Sequence, residues 1–390
     1  TRESFWGRLV KYRTMKFEEV YKKIEDNRQN RLEGKFNSIP WNLERLTKEY
    51  NYPGWVKGKM YLITASSGIA KSKFTKWLTI VSNYIKWKQN PFNVKIFWFA
   101  LEESKEKLYL EAISICIYYT HGKIVTPEMM LSFGDYAVPE KILAWVREAR
   151  QSEFLKFFEN HVEVVDHISN PTGIKKYVER YFDDSTKGQM VYEERDEKKY
   201  PLYYSHSTDT FYFVVVDHIS LLHTETIQGV YHDLRETLSF FVDHYGLEIF
   251  CKRYNLIFVP IQQQAASGEA QMFTNKGDLV EAKLEPSLAD LADCKTTQRS
   301  ADVVLGIFAP FRYDIEVHQG YDINFLQDNY RSVRFLKDRL SGLSGRLGMF
   351  FSRGVPHFEE LPKPASMGGV KDNYESYVNR SKNEKYNLES

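Results

Sequence analysis

The chain has 390 residues, with 53 basic and 52 acidic side chains and a formal net charge of +1, so no global field marks it for nucleic acid or membrane, while a local basic surface stays open. That length holds one large core, or one domain plus an arm. Cys116, Cys251 and Cys294 lie far apart without metal-ligand spacing, which fits buried thiols in a reducing cytoplasm; the longest apolar run, six residues, stops at Asp217, too short for a bilayer, and the N-terminus lacks a signal-peptide pattern.

In chain order, residues 15–32 are charged, with Phe17, Val20, Tyr21 and Ile24 at helical spacing. The spacing predicts a helix whose apolar stripe is too narrow for a core element. It either caps its own domain or docks on a neighbouring subunit. Residues 34–58 contain Pro40, Pro53 and Gly54 and read as a loop with one short helix over 43–50.

Residues 61–73 read Y-L-I-T-A-S-S-G-I-A-K-S-K. A short buried strand, a small-residue loop, Lys-Ser and a helical pattern make the order of a phosphate-binding loop. Ser66, Ser67, Gly68, Ile69, Ala70, Lys71, Ser72 and Lys73 would surround the phosphates. Backbone N–H groups and a helix N-terminus would face the anion. Lys71 would reach the β- and γ-phosphates, and the Ser72 hydroxyl would ligate Mg²⁺. Against G-x-x-x-x-G-K-[ST], Ala65 and Ala70 replace the two glycines. Ala70 is the serious change, because the second Gly often takes a positive φ, where an L-residue costs about 1–2 kcal/mol.

From Gly58 onward the pattern is α/β. Strands are expected at 60–64, 94–101, 162–165, 211–216, 256–261, 303–309, 333–337 and 347–351, and helices at 73–88, 104–119, 139–159, 173–181 and 234–254. Apolar runs alternating with helices predict a mostly parallel sheet covered on both faces. Residues 341–345 read as the tip of a C-terminal antiparallel hairpin. Residues 183–209 are polar, with Tyr192, Tyr203 and Tyr204, and read as an inserted loop or surface hairpin; the tail after Pro362 is polar and aperiodic.

Open parallel sheets bind ligands beyond the carboxyl ends of their strands. The run 94–101 leads into Glu102 and Glu103, 211–216 into Asp217, and 256–261 into Gln262. Glu102 would orient and deprotonate an attacking water. Asp217 would hold Mg²⁺ through its water shell. Gln262 would sense the γ-phosphate.

Taken together, these motifs resemble the RecA-like P-loop ATPase domain of DnaB-type replicative helicases, over about 36–361. The residues that carry the resemblance are Asn42 to Leu46, Phe99 to Glu102, Val216 to Ile219, Pro260 to Gln262, and the stretch from Pro286 to Asp302. Lys337-Asp338-Arg339 is similar to the family's Lys-x-Arg on the terminal hairpin, which reaches the neighbouring subunit's nucleotide. The resemblance implies an ATP- and Mg²⁺-dependent DNA helicase that forms a homo-oligomer, a hexameric ring around single-stranded DNA. Catalytic roles would fall to Glu102, Lys71, Gln262, Arg339 and Lys337, metal binding to Ser72 and Asp217, and DNA binding to Asp293, Lys295 and Arg299. Primase or a helicase loader would be partners, and the location the bacterial cytoplasm, or the host cytoplasm if the source is viral. The expected organisation is an N-terminal helical arm and linker over 1–57, the ATPase domain over 58–362 with the 183–209 insertion, and a polar tail over 363–390.

The departures are Ala70 and the presence of Ala292 and Lys295 where the family tends to carry Arg and Gly; the front end is expected to be a helical arm in place of the family's separate N-terminal helical domain that recruits primase. A RecA-like recombination or remodelling ATPase, and a nucleotide-binding protein with impaired hydrolysis, stay open as alternatives.

Overall fold

Runs such as Tyr61–Ala65 and Phe211–Asp217 are buried at every position, which requires cover on both faces of a sheet. A computed structural model, which describes residues 17–133, 137–195, 198–206, 209–227, 229–265, 283–367 and 375, shows that cover. Its main strands are β1 (Tyr61–Ala65), β2 (Val94–Ala100), β3 (Val162–Val165), β4 (Gly188–Arg195), β5 (Lys198–Ser205), β6 (Phe211–Asp217), β7 (Ile257–Gln263), β8 (Val303–Phe308), β9 (Tyr330–Asp338), β10 (Gly345–Ser352) and β11 (His357–Glu360). Nine of them form one sheet in the order β11-β10-β9-β8-β1-β7-β6-β2-β3. From β8 to β3 neighbours run parallel, and β9, β10 and β11 extend the β8 edge antiparallel. The expected mostly parallel α/β sheet with a terminal antiparallel hairpin is what the chain forms.

Alternation along each strand splits the core between two faces. Tyr61, Ile63 and Ala65 of β1 join Phe74, Trp77 and Leu78 of the following helix, together with Trp41 and Trp55. Met60 and Leu62 face the other way, toward Val178, Leu238, Phe241 and Ile249. The segment 39–55 is tied down by its tryptophans and by Arg45, whose Nε sits 2.8 Å from Glu360.

Two details differ from the expected elements. The single helix over 139–159 is two helices, Glu140–Ala149 and Glu153–His161, because Ser152 caps the second: its Oγ accepts from the Leu155 N–H at 3.1 Å. The edge strand β11 was not anticipated; its polar sequence lacks a strand signature and it exists by pairing with β10. The 183–209 insertion contains the hairpin β4–β5, anchored by Tyr203 between Phe182 and Tyr254.

The arm helix α1 spans Phe17–Leu32, and Phe17, Tyr21 and Ile24 on its stripe are 79%, 58% and 59% exposed. Met15 and, apart from Glu375, the polar tail from residue 368 lie outside the described residues. No helix among the described residues is long and apolar enough to cross a membrane.

Candidate active site

β1 ends at Ala65, residues 66–70 turn, and the helix α2 (residues 71–89) begins at Lys71. The turn needs two left-handed residues. Gly68 has φ +74° and Ala70 φ +70°. The strain expected from the sequence at Ala70 is therefore present, about 1–2 kcal/mol. Two arginines brace the loop. Arg331 on β9 is buried, and its Nε donates to the Ile69 carbonyl at 3.2 Å. Its Nη1 donates to the Asp328 and Tyr330 carbonyls at 2.7 and 2.8 Å, and its guanidinium lies 5.0 Å from the Phe351 ring. Arg312, just after β8, donates from Nη1 to the Ser67 carbonyl. Neither arginine carries a local sequence signal. Both reach the loop only through the strand order.

Lys71 at the foot of α2 is 6% exposed and makes no ion pair among the described residues. Next to it, the Ser72 hydroxyl donates to Asp217 Oδ1 at 2.9 Å. Asp217 is buried, and that burial pushes its carboxyl up to about 6, against the opposing pull of Lys76 and the Ser72 hydrogen bond, with the charges of Glu103 and Glu102 adding to the rise.

The neighbouring glutamates are used differently. Glu103 pairs with Lys76 and, at 2.9 Å, with Lys107. Lys76 also meets Glu111 at 2.5 Å. Burial acts to lower the Lys76 ammonium, but Glu111 and Glu103 overcome it and hold it above the ordinary lysine range. Glu103 is thus a structural anchor. Glu102 is exposed and accepts no hydrogen bond among the described residues, yet it acts electrostatically on both Asp217 and His218. Lys71, Ser72, Glu102 and Asp217 therefore converge at the carboxyl edge of β1, β2 and β6.

Buried Asp217 makes no ion pair among the described residues, since Lys76 is committed to two glutamates. Its carboxylate beside a serine hydroxyl is a hard-oxygen pair of the kind that fits Mg²⁺ completed by phosphate and water.

Gln262 is positioned differently from its expected role. Its Nε2 donates to the Ala292 and Cys294 carbonyls at 2.5 and 2.9 Å, and its Oε1 accepts from Thr297 Oγ1 at 2.5 Å. The amide is saturated by the 292–297 segment. The reason is strand parity: Phe258 faces the second core cluster, and Gln262 shares its side. Gln263 shares the side of Ile257 and Val259, which face α2; it pairs with Ala65 in register, is half-buried, and has no side-chain partner among the described residues. A run of three glutamines gave no sign of which one faces the loop.

His218 was passed over as well. It is 7% exposed, and its Nδ1 has no hydrogen-bond partner among the described residues. Burial first, then Lys71, holds its imidazole below the usual value, while Glu102 and Asp293 oppose them. His218 thus feels charges from both the phosphate loop and the 292–297 segment.

Asp293, Lys295 and Arg299 are all exposed on that segment, and Asp293 is left-handed at φ +59°. Residues 266–282, just before it, lie outside the described residues. The Lys337–Arg339 pair is split. Lys337 Nζ donates to the Gln298 and Arg299 carbonyls of its own chain, so it is not turned outward as the resemblance implied. Arg339 is exposed and without a side-chain partner among the described residues. Its backbone N–H donates to the Asp302 carbonyl at 2.9 Å, and Asp338 fixes the following turn through the Leu340 and Leu343 N–H groups at 2.8 and 2.9 Å.

The chain matches no protein-family model and no curated protein sequence. Solved structures do match it. The ATPase domain of G40P superposes with a TM-score of 0.62 at 12% identity, over 90% of this chain and 100% of that one. A DnaB-like replicative helicase, described with its interactions with primase, superposes with a TM-score of 0.59 at 13% identity, over 90% of this chain and 68% of that one. Identities this low speak to fold: the chain carries the RecA-like α/β fold of DnaB-like helicase ATPase domains, as the order of its motifs led us to expect.

Proposed function

We propose that the chain is an ATP-hydrolysing DNA helicase of the DnaB type, acting as a hexameric ring on single-stranded DNA. The observation that carries the reading is the convergence of unpaired Lys71, the Ser72–Asp217 contact and uncommitted Glu102 at one sheet edge. Backbone N–H groups of the 66–70 turn and the start of α2 would cradle the phosphates of ATP. Lys71 would neutralise the β- and γ-phosphates. Ser72 and Asp217 would hold Mg²⁺, which when bound offsets phosphate charge.

Glu102 would orient a water and take its proton as the water oxygen bonds to the γ-phosphorus and the bond to the bridging oxygen of ADP breaks. Gln263 would contact the γ-phosphate, and Gln262 would tie the same strand to the segment bearing Asp293, Lys295 and Arg299. Arg339 would enter the neighbouring subunit's site, where it neutralises charge on the transferred phosphoryl group. Assembly is supported by the exposed Phe17, Tyr21 and Ile24 on α1, an apolar face that the described residues leave uncovered. Contacts to phosphates should be salt-dependent and sequence-tolerant. A primase or loader is proposed as a further partner class, and 1–57, 58–362 and 363–390 as arm, motor and tail.

The left-handed Ala70 favours a working loop over a decayed one, because the turn is kept despite the alanine. The test is ATP hydrolysis with and without single-stranded DNA for wild type, Glu102→Gln and Arg339→Ala. Each substitution should lower the rate at least about 10²-fold. Equal rates in all three would refute the assignment.

A further inference from the structure

Thr297–Ser300 form a single helical turn at the end of the segment assigned above to DNA. Two sheet strands hold it by opposite ends. At the N-terminal end, Thr297 Oγ1 donates to Gln262 Oε1 on β7 at 2.5 Å and to the Cys294 carbonyl at 3.0 Å. At the C-terminal end, Lys337 Nζ on β9 donates to the Gln298 carbonyl and, at 3.2 Å, to the Arg299 carbonyl. These are the carbonyls that a helix end leaves without internal partners, and a cation is their natural cap. The turn is also steadied from the side. Gln298 Nε2 donates to the Leu288 carbonyl at 2.9 Å, and the Ser300 hydroxyl donates to Asp243.

The far end of β9 is as firmly held. Two residues past Lys337, the Arg339 N–H is bonded to Asp302, and Asp338 organises the turn that follows. Were Lys337 to swing outward toward a neighbour, the Gln298 and Arg299 carbonyls would lose their donor. Among the described residues, Arg339 has no such commitment.

We propose that Lys337 is a positioning residue that couples the DNA-facing turn to Arg339 within its own subunit, leaving Arg339 alone to act across the boundary. The proposal rests on the helicase reading above. Phosphates drawing on Lys295 and Arg299 shift the 297–300 turn. Lys337 passes the shift to the end of β9, and Arg339, about 7 Å further along the chain, moves with it. DNA occupancy in one subunit would then set how well its arginine serves the next.

The experiment compares full-length wild type, Lys337→Met, Lys337→Arg and Arg339→Ala. Two readouts are used: amide hydrogen exchange over 297–301 without nucleotide, and ATP hydrolysis as a function of single-stranded DNA. In Lys337→Met, exchange at 297–301 should rise at least about tenfold, whereas Arg339→Ala should leave it at the wild-type rate. The DNA concentration for half-maximal stimulation should rise about fivefold or more in Lys337→Met, with KM for ATP held, and Lys337→Arg should restore both readouts. Wild-type exchange in Lys337→Met, an unmoved DNA response, or no rescue by Arg would overturn the proposal. Thermal melting checks folding, and Lys337→Gln replaces Lys337→Met if that variant melts early. A wild type without ATP hydrolysis would sink the helicase reading instead, and the exchange result would still judge the clamp.

Discussion

Replacing Ala70 by Gly removes one methyl group from a residue held at φ +70° and ψ +31°. Holding an L-residue there costs about 1–2 kcal/mol. If the loop relaxed elsewhere and turned left-handed only on binding, that energy would come out of the affinity, and Gly would tighten ATP about 5–30-fold. The structure argues otherwise. Protein contacts alone keep the turn: Arg331 on the Ile69 carbonyl, Arg312 on the Ser67 carbonyl, and the Phe74 N–H on the Ala70 carbonyl at 2.9 Å. The strain is then common to free and bound states and cancels. Ala70→Gly should change ATP affinity less than about twofold. Its effect on folding should also be small. Relief of about 1–2 kcal/mol is offset by about 0.4–1 kcal/mol of extra unfolded-chain entropy and by part of one methyl's burial, about 0.4 kcal/mol. Calorimetric titration of ATP with Mg²⁺ reads the first quantity, and thermal melting the second. A gain of tenfold or more in affinity would refute the reasoning. Ala70→Val is the converse probe: a β-branched side chain at positive φ should collapse the turn and abolish binding.

Gln263→Ala should lower DNA-stimulated hydrolysis at least about tenfold with little change in melting temperature, while Gln262→Ala, by stripping partners from the half-buried Ala292 carbonyl and from buried Cys294 and Thr297 groups, should destabilise by about 2–3 kcal/mol. The reverse pattern would restore Gln262 as the phosphate sensor. Arg331→Met frees the Ile69 carbonyl and should cost about 3 kcal/mol in denaturant unfolding together with ATP affinity; unchanged affinity would show that the loop holds itself. Glu285 gives a pH test. Burial alone would raise its carboxyl, but hydrogen bonds from His318 and Arg346 and their charges hold it down at about 2, below its ordinary 4.5. A depressed carboxylate stabilises above its unfolded value, so this contribution should be present above pH 4.5 and fade as pH falls toward 2. Acid unfolding should be steeper across that window in wild type than in Glu285→Gln, and identical curves would exclude the role.

Much of the fold was legible because burial on both faces leaves a plain mark: six apolar residues before Asp217, or the run into Glu102, can hardly be anything but central strands. The positions of Lys71, Ser72, Glu102 and Asp217 follow from that, since Asp217 ends its strand, Glu102 lies just beyond its own, and Lys71 and Ser72 open the helix after the turn that follows β1. What stayed hidden depends on side-chain direction or on distant partners. Gln262 and Gln263 differ only in parity, and a boundary uncertain by one residue exchanges them. Glu102 and Glu103 likewise become distinct only once Lys76 and Lys107 are seen to claim the second. Arg331 lies 262 residues from the carbonyl it holds, and no local pattern could announce that. The Lys337 contact stays hidden for the same reason: its partners lie 38 and 39 residues away, and a basic residue near the end of a strand has no inherent direction.

The arm helix has a further consequence. A 16-residue helix whose apolar side no described residue covers gains little from packing, and isolated helices of that length are marginal in water. Its backbone order should follow protein concentration: frayed in dilute subunits, wound once another surface shelters Phe17, Tyr21 and Ile24. Far-ultraviolet circular dichroism across a dilution series would then report the gathering of subunits without any label.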